Sequence, residues 1–407
     1  MSSEPDNKSQ SDVVSPPGET LGKMLDERGM SQAELAERTG RPKKTINEIV
    51  KGKASITAET ALQLERVLGA PAAFWNSRER EYQEHLARAK EVRELRGKTD
   101  WLRRVPLREL INRGWVREEE DKVSQLREVL MFFGIASPEQ WRTVYQSPQA
   151  AFRRPPDFEV DERTLSAWLR RGDIEAQRLR CAEYDEPRFR DALGEIRDLT
   201  RKRPAVAIPA ARDVCTQAGV ALVVVPHFPG CPVQGASRWL TPSKALIQLS
   251  LRSKTDDVFW FGFFHEAGHI LLHPKRQGFL DDKRDGKSEW EEEADRFAAD
   301  TLIPEEGFAY LQDLLGSGKA SHAKLEKAAR TLGVSPSIVA GRLQHEGVVP
   351  QNHFNRLKRE LNETAILAAL ATPQTPTPPQ PEHAPSPELP FEAASSSAIE
   401  AATAAHW

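Results

Sequence analysis

Between Asp256 and Pro274 the chain reads DDVFWFGFFHEAGHILLHP, and this stretch constrains the fold more than any other. Seven residues without a polar side chain, Val258 to Phe264, run directly into His265-Glu266-Ala267-Gly268-His269. So apolar a helix has to be buried, and buried ionisable groups need partners. Residues four apart share a helix face, so His265 and His269 can turn both imidazoles towards one ion. Neutral imidazoles suit zinc, which leaves a fourth position for water and lowers the pKa of that water. Glu266, beside the first histidine, stands where a carboxylate would take the proton of such a water. The apolar run is far short of the ~20 residues a membrane span needs, and the chain opens on a polar segment with no signal-peptide pattern. Cys181, Cys215 and Cys231 are odd in number and unpaired in spacing, which argues against a disulfide framework and for the cytoplasm.

A third ligand has to come from elsewhere. His273 continues the same helix and would lie ~12 Å along the axis from His265 at 1.5 Å per residue, so it reads as a helix cap or part of the rim. The better candidate lies in EWEEEADRFAADTL, Glu289 to Leu302, whose apolar face is Ala294, Phe297, Ala298 and Leu302. At ~100° per residue, Glu291 falls within ~45° of the centre of that face and Glu293 ~115° away. Glu291 therefore points inward, where zinc is a suitable partner, and Asp295 shares its side and can hold the free nitrogen of a zinc histidine. Glu292 and Glu293 read as a solvated acidic helix start. His322, His345 and His353 read as surface histidines, one of which could serve an oxyanion.

Near the other end, Gly18 to Gly69 is punctuated by glycines at 29, 40, 52 and 69. Leu21, Met24 and Leu25 give one helical face, and Ser31 with Glu34 has the spacing of a capping box for a second helix. Gly40 closes that helix and a third starts near Arg41-Pro42, the pattern of a helix-turn-helix. Ile46, Ile49 and Val50 would dock the third helix, while Lys43, Lys44, Thr45, Asn47 and Lys51 occupy its other faces. Segment 41–53 holds five basic residues against one acidic, a local charge of +4 on a chain of net charge -3. Lysines and arginine suit phosphates, and Asn47, Lys44 or Thr45 could read base edges in the major groove.

Both segments resemble known families. PGETL, MSQAELAERTG and TINEIVKGKASITAETALQLERVLGAPAAFW, within residues 17–75, resemble the Xre/Cro-type helix-turn-helix family and its HigA-type antitoxin branch. That resemblance implies a dimer on paired half-sites of a double-stranded DNA operator, with Gln32, Lys43, Lys44, Thr45 and Asn47 facing DNA. HEAGHILLHP followed by EWEEEADRFAADTLIP is similar to the ImmA/IrrE metallopeptidases, gluzincin-type enzymes with two histidines and a glutamate on zinc. Their second signature, E-x-x-A-N/D-x-F-A-x-x-x-L-x-P, falls on Glu291, Ala294, Asp295, Phe297, Ala298, Leu302 and Pro304, with TLIP replacing the usual LLMP. The resemblance assigns Zn2+ to His265, His269 and Glu291, and the general base to Glu266.

The expected fold is mainly α with a small β-sheet. Residues 1–17 form a disordered tail and 18–80 an all-α helix-turn-helix domain. Residues 81–200 form a helical connector with Trp101, Trp115, Trp141 and Trp168 as core anchors, and 201–350 an α+β zincin-like domain. Residues 351–407 hold a short helix and a tail in which eight of the eighteen residues from Pro373 to Pro390 are proline. Strands are expected at Ala221–Val225, Gln234–Leu240 and Ala245–Leu251. Ala329–Leu343 has a second helix-turn-helix outline, but its second helix carries only Arg342 as a basic residue, so it reads as packing. The family resemblance implies a transcriptional regulator whose zinc-dependent endopeptidase cleaves a repressor or antitoxin protein, or the chain itself, away from any membrane. The alternative is a transcription factor or antitoxin whose peptidase-like domain only senses a ligand or binds a partner.

Overall fold

The computed structural model describes residues 14–146, 151–152, 161–231, 233–275, 289–316 and 320–371. The terminal tails read from composition lie, for residues 1–13 and 372–407, outside this set. The chain is mostly helical with a small sheet, and no described helix is long and apolar enough to cross a membrane.

Four short helices, Pro17–Glu27, Gln32–Thr39, Lys43–Val50 and Ala58–Leu68, pack around Leu21, Leu35, Ile46, Ile49, Leu64 and Trp75. Ser31 caps the second helix by accepting from the Glu34 amide at 3.1 Å. The capping box is half-made, because the Glu34 carboxylate turns forward to Arg38 at 2.6 Å. Gly40 then reverses the chain in the left-handed region, at φ 68°, where a β-carbon would be strained. Trp75 belongs to the next helix, Ala72–Arg96, which rises ~37 Å at 1.5 Å per residue and ends with Leu95 packed on Val123, Leu126 and Leu130.

The sheet has the order β1-β3-β4-β2. Strand β2 (Val220–Val224) runs parallel to β4 (Lys244–Leu249), β3 (Gly235–Thr241) runs antiparallel to β4, and the two-residue β1 (Ala151–Phe152) edges β3. Alternate residues serve two cores, as the period of a strand dictates. Val220, Leu222, Val224, Ala245, Ile247 and Leu249 face the helices Glu186–Leu199, Pro204–Gln217 and Asp256–Leu272. Ala221, Val223, Ala236 and Leu246 face Trp168 and Phe133, from helices Glu162–Arg178 and Lys122–Phe133. On that second face Gln248 donates to the Trp168 carbonyl at 2.7 Å, and Arg238 joins Gln248 at 2.9 Å and Asp173 at 2.5 Å. Trp141 and Trp168 are buried anchors of this core, with Trp101 and Trp115 packed at its edge.

The helix Asp256–Leu272 crosses the first face of the sheet, and Glu289–Leu302 lies against it. Helices His322–Leu332 and Pro336–His345 complete that core. Ile338, Val339, Ala340 and Leu343 are buried in it, so the second helix-turn-helix outline is used for packing.

A candidate metal centre and a candidate DNA-reading surface

His265 is fully buried, and His269 and Glu266 are 3% and 1% exposed. The Nε2 atoms of His265 and His269 face one another at 3.0 Å. The Glu291 carboxylate closes the group, with Oε2 3.2 Å from His265 Nε2 and Oε1 3.4 Å from His269 Nε2. Among the described residues these three side chains form the one cluster with ligand atoms close enough to share an ion. Asp295 lies behind His265, Oδ1 at 2.9 Å from Nδ1.

The donor set fits a cation. With its Nδ1 proton given to Asp295, His265 presents a lone pair at Nε2, opposite a second imidazole nitrogen and beside a carboxylate. Two nitrogens and a carboxylate oxygen are ligands zinc takes. Burial opposes charging His265, but Asp295 and then Glu291 outweigh it and raise its pKa to about 9. Burial likewise opposes the Glu291 charge, and the two histidines outweigh it and hold the carboxyl at about 2. Two carboxylates set against two imidazoles make a pocket that stabilises positive charge.

Glu266 faces the sheet. Its Oε2 is buried without a hydrogen-bond partner, and burial pushes its carboxyl up, against the pull of His265, His269 and the neighbouring Ser237 hydroxyl. Gly235 makes room for it: a β-carbon there would stand 2.6 Å from Glu266 Oε1 and 3.0 Å from its Cγ. Neither Gly235 nor Ser237 emerges from motif reading, although an isolated glycine in a strand marks close approach of another group.

Two residues outside the ligand group adjoin this site. The His273 ring is buried with Nδ1 2.9 Å from His269 Nδ1, and its Nε2 is 3.3 Å from Glu293 Oε2. Glu293 is thus more than a solvated acid. His322 and His353 pack on Phe354, and His345 lies beside Phe261; none of the three is in the metal-ligand group.

On the first domain, Ile46 and Ile49 bury one side of Lys43–Val50. Lys43 and Lys44 are exposed, and Gln32, Thr45 and Asn47 half-buried. Lys44 reaches Glu48 at 3.9 Å with its side chain 85% exposed, a pairing weak enough to yield to a phosphate. Arg41 contributes less to the basic face than its sequence position implies, because its guanidinium meets Gln63 at 2.5 Å and Glu59 at 3.0 Å.

A family model described as a helix-turn-helix matches residues 21–75, and a peptidase M78 model described as an IrrE N-terminal-like domain matches residues 234–344. No curated protein matches the chain. Among solved structures, an addiction module antidote protein of a HigA family from Coxiella burnetii is 29% identical, over 21% of this chain and 92% of its own, with a TM-score of 0.19. A protein described as an antidote of a plasmid maintenance system from Nostoc punctiforme PCC 73102 is 30% identical, over 20% of this chain and 90% of its own, with a TM-score of 0.18.

Proposed function

Because residues 21–75 match a helix-turn-helix model and residues 234–344 an IrrE N-terminal-like M78 peptidase model, we propose that the chain is a DNA-binding transcriptional regulator whose second domain is a zinc-dependent endopeptidase. The observation that carries this reading is the convergence of His265, His269 and Glu291, with Glu266 on the same helix.

His265, His269 and Glu291 would hold the ion, which supplies a Lewis acid for a peptide carbonyl and for the attacking water. Glu266 takes the proton of that water on its unpartnered Oε2, then delivers it to the amide nitrogen as the C–N bond breaks. Burial raises the pKa of this carboxyl, which favours its taking up the proton it must later return. Asp295 holds His265 in the tautomer that presents Nε2. The substrate is a partner repressor or antitoxin, or the chain itself. Lys43, Lys44, Thr45, Asn47 and Gln32 contact a double-stranded operator as a homodimer, in the cytoplasm where that DNA is found.

Metal analysis of the wild type beside a His265→Ala/His269→Ala double variant tests the site: about one zinc per chain, lost in the variant, is expected. Glu266→Gln should then keep the metal and abolish cleavage; unchanged cleavage removes the general-base assignment. A second reading, a regulator or antitoxin whose peptidase-like domain only senses a ligand or partner, is favoured by the near-complete burial of His265 and Glu266. A zinc-loaded protein that cleaves neither itself nor a co-purified repressor would select it.

A further inference from the structure

We propose that His273 and Glu293 form a hydrogen-bond relay that fixes His269 for metal binding, a positioning role outside the M78 ligand set. The inference rests on the reading that His265, His269 and Glu291 hold an ion, and it follows from counting protons on three rings. His269 turns Nε2 towards His265 and Glu291. To offer a lone pair there it must carry its hydrogen on Nδ1, and a buried N–H needs an acceptor. The atom in place is His273 Nδ1, 2.9 Å away. It accepts only if His273 carries its own hydrogen on Nε2, and that atom faces Glu293 Oε2 at 3.3 Å. Every ring is then neutral and every hydrogen has an acceptor: Glu293 accepts from His273, His273 accepts from His269, and His269 Nε2 is left for the ion. His265 obtains the same result from Asp295 directly.

Backbone and packing fit this role. The helix ends at Leu272, and His273 adopts extended torsions, φ -108° and ψ 151°, while its amide still bonds the His269 carbonyl at 3.3 Å. The ring therefore stands one turn beyond His269 on the same side of the helix, its centroid 5.0 Å from that of His269. It lies near-parallel to Trp290, centroids 5.2 Å apart. Trp290, Glu291, Glu293 and Asp295 all come from one helix, so a single docking event places the third ligand and the supports of both histidines.

The test uses the full chain and reads metal affinity, by zinc chelator competition and by the visible absorption of the cobalt form. The variants are His273→Phe, which keeps the ring but has no acceptor, His273→Asn, which restores an acceptor near the position of Nδ1, and Glu293→Gln. His273→Phe should weaken zinc about 10–100-fold, the usual cost of losing such a support. Asn should recover part of that loss, and Glu293→Gln should cost less because that side chain is 41% exposed. Wild-type affinity in His273→Phe overturns the relay, as do two ions per chain of which one depends on His273. Nitrogen-15 NMR of the wild-type zinc form reads the tautomers without any variant: hydrogen on His269 Nδ1 and His273 Nε2 is expected, and the opposite assignment overturns the proposal. A wild type that takes up no zinc refutes the functional reading itself, which keeps the two failures distinct.

Discussion

Gly268 and Ala294 meet where the histidine helix crosses the acidic helix, so closely that a β-carbon on Gly268 would stand 3.2 Å from Ala294 Cα and 3.1 Å from Phe297 Cδ1. The glycine within the HEAGH segment and the alanine one turn before Ala298 are thus the contact that lets Glu291 reach both histidines. Gly268→Ala should be nearly neutral, because the gain in helix propensity, about 1 kcal/mol, offsets the tight fit. Gly268→Val should lower stability by about 1–3 kcal/mol through overpacking and weaken zinc by moving Glu291. Thermal unfolding with zinc titration checks both, and an unchanged Gly268→Val would show that the crossing tolerates separation.

Metal binding should depend on pH through His265. Its folded pKa, about 9, lies above its ordinary 6.5, so at neutral pH a cation must expel a proton to bind. Apparent zinc affinity should rise about tenfold per pH unit towards pH 9 and then level off. In the metal-free protein the sign for stability is the reverse. The contribution of the charged imidazole is fully present below pH 6.5 and is lost as pH rises through about 9. Chelator competition and metal-free melting curves across this window should therefore slope in opposite directions.

Gly235→Ala should separate binding from chemistry. The added methyl collides with Glu266, not with a metal ligand, so zinc content should persist while turnover falls by at least tenfold. Loss of zinc in this variant would mean that the strand positions the ligands as well as the base.

On the DNA domain, Lys43→Ala and Lys44→Ala should weaken operator and non-specific DNA alike and reduce the salt dependence of binding by about one counterion each. Asn47→Ala should instead relax sequence preference by about 1–3 kcal/mol at one base pair. Fluorescence anisotropy at several salt concentrations distinguishes these patterns.

Much of this architecture is legible in the residues because it depends on local spacing. Ser31 announces its helix, Gly40 its turn, and the position of Glu291 on the helical wheel turns its carboxylate inward. What escaped depends on contacts between elements distant in the chain. Helical spacing puts His273 one turn beyond His269 and outside the ligand group, but does not reveal which carboxylate its ring meets. The wheel angle of Glu293 correctly excludes it from the apolar face, but says nothing about a histidine arriving from another helix at 3.3 Å. Strand β1, two residues long, carries no periodicity to read.

The alternation along β3 has a consequence for insertion and deletion. Gly235 faces Glu266 while Ala236 faces the core shared with the connector. Because neighbouring strand residues point to opposite sides, removing one residue between Cys231 and Gly235 and sliding the strand to compensate would press the Ala236 methyl onto the base and bring the Ser237 hydroxyl into the apolar core that Ala236 occupies. The loop before β3 is therefore frame-sensitive: changes of an even number of residues preserve which face each side chain serves, and odd ones exchange the tenants of the two cores.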